Sequence, residues 1–220
     1  MKKLLITIIV LTSTFFTSWG QEPKYTPLYY HRCSLFESLP IKKSDIIFLG
    51  NSITHYCEWA ELFDNPHVKN RGISGDIVQG VYDRLDPIIK GQPKKIFIMI
   101  GVNNLSRDYT VDSTYMGLVK IVDKLSKECP YTKLYIQSAL PVNSTFTNYP
   151  KHRTRGNEIK EYNAMIEKMC QEKGITFVNL YPLFKCEDSD ELNPKFTKDG
   201  LHINGDGYLV WRDAIRKYVK

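Results

Sequence analysis

The sequence predicts a three-layer α/β/α sandwich with a central parallel sheet of about five strands. Three observations support this fold class. The 220 residues suit a single domain, and short apolar runs alternate with longer amphipathic stretches, which implies parallel pairing through right-handed crossovers. The apolar runs are also continuous rather than alternating, as expected for strands that helices cover on both faces.

The predicted strands and helices follow one another from residue 45 onward. The strands are expected at DIIFLG (45–50), HVKNRGIS (67–74), KKIFIMIG (94–101), KLYIQSAL (133–140) and ITFVNLY (175–181). The helices are expected near 55–63, 76–90, 110–128, 157–173 and 206–219. Within the third helix an apolar stripe recurs every three to four positions and consists of Met116, Leu118, Val119, Ile121, Val122 and Leu125.

The first 20 residues are predicted to be a secretory signal peptide and not part of the fold. Two lysines precede the apolar stretch Leu4–Phe16, and small residues follow it, so that cleavage after Gly20 is plausible. The stretch is too short for a convincing membrane-spanning helix, so export without stable membrane insertion is expected, to a periplasm or beyond. Residues 21–44 are interpreted as an extension packed on the domain, which comprises residues 45–220.

Charge and cysteine content argue against two other kinds of site. The formal net charge is +6, but the 30 basic residues are scattered and form only short groups such as PKK and KHRTR. A solvated basic surface therefore fits better than a nucleic-acid track. The five cysteines lack paired CxxC spacing, so no zinc site is expected, while an exported protein could form disulfides. The sequence leaves the disulfides and the oligomeric state open.

Glycines and polar residues gather where the predicted strands end. Gly50-Asn51-Ser52 follows the first strand, RGISGD (71–76) the second and GVNN (101–104) the third, while DGLHINGDG (199–207) precedes the last helix. Functional groups in such a sheet meet beyond the carboxyl ends of the strands. These segments would bring together a hydroxyl, a glycine that exposes backbone, an amide and an Asp/His pair, which are the groups that acyl transfer needs.

Each candidate residue has a chemical task in such a site. Ser52 offers a hydroxyl, which is a weak nucleophile and needs a base; a histidine suits neutral pH, and His202 is the candidate. Asp199, three residues before it, is spaced to hold the tautomer of the imidazole. The oxyanion donors would be the N–H groups of Ser52 and Gly75 and the side-chain amide of Asn103.

Each signal taken alone has a simpler structural explanation. Ser52 could cap the helix that begins SITHYCEWAELF, Gly75 could form a turn, Asn103 could be a cap, and Asp199 and His202 could belong to an ordinary turn. The remaining histidines are interpreted as surface or satisfied side chains: His31, His55, His67 and His152. The occurrence of all four signals, in order and at the ends of the right strands, favours catalysis.

The four motifs resemble the sequence blocks of the SGNH hydrolases, also called the GDSL-like lipase/acylhydrolase family. FLGNSIT resembles the nucleophile block, ISGD the block with the oxyanion glycine, GVNN the G-x-N-D block and DGLH the D-x-x-H block. The resemblance covers about residues 45–210 and implies an SGNH or flavodoxin-like fold. It also implies a catalytic triad of Ser52, His202 and Asp199, with oxyanion donors at Ser52, Gly75 and Asn103, and neither metal nor cofactor.

Two positions depart from the family pattern. Asn51 and Asn104 stand where aspartate is usual, and because both only flank the expected catalytic groups, tuning rather than loss of activity is expected. Thr54 replaces the second glycine of the G-x-S-x-G elbow, which argues against the α/β-hydrolase fold.

The resemblance implies a serine ester hydrolase, and a small-molecule or glycan ester is the expected substrate. The loop LPVNSTFTNYPKHRTRG (140–156) is polar and shows no long apolar stripe for a fatty-acyl channel. Tyr56 and Trp59 could stack on a sugar face, although packing in the core is the favoured interpretation. The first expectation is an O-acetylesterase acting on acetylated carbohydrate. The alternatives are a lysophospholipase or other short-to-medium-chain acyl esterase, and a non-catalytic glycan-binding protein on the same fold.

Overall fold

The computed structural model describes residues 24–220, so the predicted signal peptide lies outside the described residues. Five strands form one sheet, and every neighbouring pair is parallel. The spatial order β2-β1-β3-β4-β5 is the flavodoxin-like order. The strands are β1 (Ile46–Gly50), β2 (Val68–Gly72), β3 (Lys95–Met99), β4 (Lys133–Gln137) and β5 (Thr176–Val178). The predicted number and direction of strands are confirmed.

Helices connect the strands and surround the sheet. Those in the described part of the chain are α1 (Pro27–Ser38), α2 (Ser52–His55), α3 (Trp59–Leu62), α4 (Val78–Asp83), α5 (Asp86–Gly91), α6 (Val102–Leu105), α7 (Val111–Glu128), α8 (Gly156–Lys173), α9 (Tyr181–Phe184) and α10 (Gly205–Val219). A 3₁₀ turn covers Pro194–Phe196.

Both faces of the sheet are covered, which gives the three predicted layers. On one face, Ile47 and Ile96 pack with the buried side chains of α4, α7 and α8. On the other face, Phe48 packs with Trp59 and Trp211, and its ring lies 4.0 Å from that of Trp59, centroid to centroid. Burying such a side chain fully contributes about 1.5–3 kcal/mol. This double burial explains why the strands read as continuously apolar.

Two of the predicted helices are interrupted. In the region 55–63, α2 ends at His55 because the Asn70 amide donates to the carbonyl oxygens of His55 (3.0 Å) and Cys57 (2.9 Å). In the region 76–90, α4 ends and α5 begins anew with Pro87 in its first turn, where a missing N–H has no cost. In α7 the predicted stripe is too wide, since Met116 is 51% exposed.

The segment 24–44 contains the helix α1, which the sequence did not predict. Thr26 caps it by accepting the N–H of Tyr29 at 3.3 Å. Only two of its side chains are buried, Tyr29 and Phe36. Its sequence therefore shows almost no amphipathic pattern from which the helix could be predicted. The Tyr29 hydroxyl donates to the Gly80 carbonyl oxygen at 2.8 Å, and the Phe36 ring lies under the Arg71 guanidinium at 4.8 Å. These long-range contacts hold α1 on the domain.

Within residues 24–220, no helix has both the length and the apolar character needed to cross a bilayer. All five cysteines lie in this part of the chain, and each is a free thiol.

Candidate active site

A tight turn presents Ser52 at the carboxyl edge of the sheet. Gly50 allows the turn, because a Cβ there would lie 2.4 Å from the Met99 carbonyl oxygen. Asn51 is the N-cap of α2, and its side-chain oxygen accepts the N–H of Ile53 at 3.0 Å. The interpretation of Ser52 as the helix cap is therefore wrong, and its hydroxyl is available for another partner.

Ser52, His202 and Asp199 form one chain of hydrogen bonds. His202 Nε2 lies 2.9 Å from Ser52 Oγ, and His202 Nδ1 lies 2.8 Å from Asp199 Oδ2. Ser52 is buried, and only 12% of the His202 side chain is exposed. The order of groups is that of a nucleophile, its base and the carboxylate that orients the base.

The Asp199 carboxylate is held in its charged form. Burial by itself would raise the pKa of Asp199, but the hydrogen bonds from the His202 side chain and from the N–H groups of Leu201 and His202 together lower it. An ionised carboxylate accepts a hydrogen bond from Nδ1–H, which keeps the proton of the neutral imidazole on Nδ1 and leaves the Nε2 lone pair of His202 facing Ser52.

The turn that carries Asp199 and His202 depends on a glycine. Gly200 has φ +81, in the left-handed region that glycine adopts readily, and an added Cβ would lie 2.8 Å from Phe146 Cβ. Thr197 Oγ1 accepts the N–H of Gly200 at 2.9 Å. The spacing of the D-x-x-H motif is thus fixed by the backbone of this turn.

Two predicted oxyanion donors come from the backbone. Gly75 has φ +78 in the turn between β2 and α4, and its carbonyl oxygen accepts a hydrogen bond from the Arg107 guanidinium at 2.8 Å. That bond fixes the orientation of the turn. Among residues 24–220, the N–H groups of Ser52 and Gly75 donate to no other group, so both are available to a ligand at the edge of the sheet.

The third predicted donor, Asn103, lies at the start of α6 and is buried. Its Nδ2 donates to the Asp76 carbonyl oxygen at 2.9 Å, which occupies one of the two amide hydrogens. Its Oδ1 lies 2.9 Å from Nε2 of His152.

His152 belongs to the site, which the sequence did not indicate; it stands in a long polar loop with no motif around it. Burial, and next the nearby His202, lower the pKa of His152 to about 4.

Two exposed tyrosines flank His202. The rings of Tyr56 and Tyr149 lie 5.1 Å and 5.0 Å from the imidazole, and the residues are 53% and 41% exposed. Trp59 is only 1% exposed and packs in the core, as the favoured interpretation of the sequence expects, so it offers no ring face to a sugar. The structure thus gives the site two aromatic walls, of which the sequence indicated Tyr56 alone.

The two asparagines that replace the usual aspartates serve the backbone. Asn51 caps α2, as described above. Asn104 is buried, and its Oδ1 accepts the N–H of Val78 at the start of α4 at 3.0 Å. Within residues 24–220 its Nδ2 has no partner, and an unsatisfied buried donor costs about 1–3 kcal/mol. Neither asparagine contacts Ser52 Oγ or the His202 ring through a hydrogen bond.

The other histidines lie outside this hydrogen-bonded chain. His55 Nδ1 accepts the N–H of Ser74 at 3.2 Å, and His67 Nδ1 lies 3.3 Å from Asp45 Oδ1. His31 is exposed on α1. In residues 24–220, no group of three or more histidine, cysteine or carboxylate side chains is arranged to hold a metal ion.

The fold is the one that the sequence predicted, and the hydrogen-bonded serine stands in the first of the four motifs that suggested the family. The chain belongs to the GDSL-like Lipase/Acylhydrolase family, whose model matches residues 48–210. The match begins within β1 and ends within α10, so it includes all four motifs. The family resemblance inferred from the sequence is confirmed.

Curated relatives are similar over part of their length. The platelet-activating factor acetylhydrolase IB subunit alpha1 of Rattus norvegicus is 33% identical over 106 residues, which are 46% of this chain and 45% of that subunit. An N-acylneuraminate cytidylyltransferase of Escherichia coli is 28% identical over 180 residues, which are 80% of this chain and 41% of that protein. The chain thus spans less than half of the length of these relatives.

Solved structures share the fold over nearly their whole length. A GDSL-like lipase from Bacteroides thetaiotaomicron superposes with a TM-score of 0.76 at 25% identity, covering 87% of this chain and 96% of that one. An acetylxylan esterase from Geobacillus stearothermophilus, solved as a catalytic mutant, superposes with a TM-score of 0.63 at 20% identity, covering 81% and 95%. The second likeness is one of fold alone.

Proposed function

We propose that this chain is an exported esterase that removes O-acetyl groups from carbohydrate, with Ser52 as nucleophile, His202 as base and Asp199 as the residue that orients the base. The observation that carries the proposal is the continuous chain of hydrogen bonds from Ser52 Oγ through the imidazole to Asp199. A non-catalytic binding protein would have no need of this arrangement.

The reaction follows from the order of the hydrogen bonds. His202 Nε2 takes the proton of Ser52 Oγ as this oxygen attacks the ester carbonyl, and Asp199 stabilises the imidazolium. The alcohol leaves with that proton, and an acyl group remains on Ser52. Water then gives a proton to His202 as it attacks the acyl carbon. The bond from this carbon to Ser52 Oγ breaks, and His202 returns the proton to Oγ, which releases the acid and restores the serine.

The oxyanion formed in both steps needs hydrogen-bond donors. The N–H groups of Ser52 and Gly75 and the second hydrogen of the Asn103 amide are the proposed donors. Removing one donor of this kind typically lowers kcat by about 10²–10³-fold. The Gly75 turn is tied down through Arg107, so its donor needs little rearrangement when the charge develops.

The acyl group is proposed to be acetate. The cavity under the nucleophile turn, lined by residues that include Ile53, Val102 and Leu201, has a volume of about 10 Å³. A space of that size holds about one water molecule, and neither Ser52 nor His202 lines it, so it is a gap in the core and not an acyl pocket. The rat relative is named an acetylhydrolase and the Geobacillus enzyme an acetylxylan esterase, which supports the choice of acetate.

A sugar is the proposed alcohol part because of the walls of the site. Tyr56 and Tyr149 expose rings beside His202, and such rings offer apolar faces with a polar tip. The surrounding loop 140–156 is polar. A second candidate is an esterase for phospholipids with a short acyl group, because the rat relative carries the name of a platelet-activating factor acetylhydrolase.

Hydrolysis of p-nitrophenyl acetate, butyrate and octanoate by the mature protein and its Ser52→Ala variant tests the proposal. We expect acetate to be the best substrate and the variant to be inactive with an unchanged melting temperature. Release of acetate from acetylated xylan would then support the carbohydrate, whereas preference for a short-acyl phospholipid would support the second candidate. Equal activity of Ser52→Ala and wild type would contradict the assignment of the nucleophile.

Export is the remaining part of the proposal, and it rests on residues 1–20. We propose that cleavage after Gly20 leaves a mature chain that consists of an extension, residues 21–44, and the catalytic domain, residues 45–220. N-terminal sequencing of the protein recovered outside the cytoplasm should begin at Gln21. Full-length protein retained in the cytoplasm would contradict this part without affecting the esterase assignment.

A further inference from the structure

His152 contacts the side chain of a proposed oxyanion donor. The Asn103 amide is oriented by the Asp76 carbonyl oxygen, which can only accept and therefore faces Nδ2 at 2.9 Å. Asn103 Oδ1 then faces His152 Nε2 at 2.9 Å. Because an amide oxygen only accepts, His152 must carry its proton on Nε2. The amide is thus held at both ends, and its second N–H has one direction left.

The loop that carries His152 is anchored at both ends. Near its start, the N–H of Asn143 donates to the Gly200 carbonyl oxygen at 2.9 Å, inside the Asp199–His202 turn. At its end, the Arg155 guanidinium pairs with Asp108, which follows α6. The loop therefore connects the turn of the proposed base with the helix of the proposed oxyanion amide, and His152 stands between the two anchors.

The backbone between these anchors adopts a demanding conformation. Tyr149 has φ +51, a left-handed conformation that is uncommon for a residue with a side chain and that surrounding contacts must hold in place. Its carbonyl oxygen accepts the N–H of His152 at 2.9 Å, and its ring meets those of His152 and His202 edge-on. Tyr149 thus helps to fix the direction of the His152 ring.

A neutral imidazole is suited to this place. Burial, followed by the proximity of His202 and Arg107, lowers the pKa of His152 to about 4, so the ring is uncharged near neutral pH. A neutral ring donates from Nε2 without placing a second positive charge beside His202 when the latter becomes an imidazolium. A lysine or arginine would donate equally well but would oppose that charge.

We propose that His152 is a positioning residue that holds the Asn103 amide with its second N–H directed at the oxyanion. The inference rests on the proposed function, because it assigns to His152 a role in that reaction. It differs from a role in loop stability alone. In that case the contact would affect folding but would not be coupled to Asn103 in catalysis.

Three variants at one position separate these two roles. His152→Gln keeps an N–H at the place of Nε2, whereas His152→Asn is too short to reach Asn103 and His152→Ala has no donor. Combining His152→Ala with Asn103→Ala completes a double-mutant cycle. Each variant is assayed for kcat and KM with p-nitrophenyl acetate, after its melting temperature shows that it is folded.

We expect His152→Ala and His152→Asn to lower kcat by about 10–100-fold, which is less than the loss of a whole oxyanion donor, with KM nearly unchanged. His152→Gln should restore most of kcat, and His152→Ala should have no further effect when Asn103 is already alanine. Independent effects of the two alanine substitutions, or a His152→Gln variant as slow as His152→Asn, would overturn the proposal. Absence of Ser52-dependent hydrolysis in the wild-type protein would overturn the proposed function as well, so the two failures are distinguishable.

Discussion

The turn that carries Ser52 and the loop 140–156 both contact the His202 ring, but different kinds of contact hold them in place. In the turn, Asn51 caps α2 through Ile53, so that contacts within three residues determine where Ser52 points. In the loop, His152 contacts Asn103, which is 49 residues away in the chain. Local contacts can be recognised as a short motif, whereas contacts between distant segments cannot. Short motifs therefore reveal the proposed reacting groups and leave out the groups that hold them.

The largest effect is expected at the motif side of this comparison. Asp199→Asn should lower kcat by about 10⁴-fold, because an amide in place of the carboxylate favours the wrong tautomer of the base. The variant should fold normally, since the side-chain oxygen still accepts the N–H groups of Leu201 and His202. Steady-state kinetics with p-nitrophenyl acetate and a thermal melt measure both. A kcat within tenfold of wild type would mean that Asp199 has no part in the reaction.

A smaller effect is expected where the two regions meet. Asn103→Ala removes a proposed oxyanion donor and leaves His152 without its partner, so kcat should fall by about 10²–10³-fold while KM changes little. Asn103→Asp is the matched control, because it keeps the shape and the acceptor for His152 but has no N–H for the oxyanion. Recovery of activity in Asn103→Asp would contradict the donor role.

The cap of α2 tests whether local contacts hold the turn of Ser52, and changing this cap leaves the proposed reacting groups in place. Asn51→Ala should lower the free energy of unfolding by about 1 kcal/mol, because it removes the acceptor for the Ile53 N–H. Asn51→Asp keeps the acceptor and adds a favourable charge at a helix N-terminus, so chemical denaturation should give it at least wild-type stability. Equal stability of Asn51→Ala and wild type would show that the cap contributes nothing.

The smallest effect is expected in the pH dependence of the melting temperature, to which His152 in the loop 140–156 contributes. In the folded protein the pKa of His152 is lowered to about 4 from its ordinary 6.5, by burial and by His202, Arg107 and Arg155. Between these values the unfolded chain binds a proton that the folded chain does not, so this group destabilises the fold as the pH decreases. The melting temperature of wild type should therefore fall more than that of His152→Gln between about pH 7 and about pH 5. Parallel decreases would contradict a buried neutral His152.

The sheet could be predicted well because its signal is local and repeated. The strands IIFLG and KIFIM are apolar at every position except Lys95, and their alternate residues face two separate cores. The breaks between α2 and α3 and the existence of α1 could not be predicted. They depend on Asn70 and on Tyr29, whose partners lie far away in the chain.

The candidate site divides along the same line. Ser52, Gly75, Asn103, Asp199 and His202 could be named because each stands in a short motif at the end of a strand or before a helix. Tyr149 and His152 could not, since nothing in NSTFTNYPKHRTRG shows which side chains the loop directs inward. The sequence also leaves two interpretations open for Trp59, because its position next to the motif gives no information about the stacking on Phe48 that buries it.

Covalent labelling tests the central claim most directly, which is that the hydrogen bond to His202 makes Ser52 a nucleophile. A fluorophosphonate ester mimics the tetrahedral intermediate and reacts only with an activated serine. Mass spectrometry of the wild-type protein should locate the phosphonyl group on the peptide that contains Ser52. The Ser52→Ala variant should remain unlabelled, and His202→Ala should react far more slowly. Labelling at another serine, or equal labelling without His202, would contradict the account.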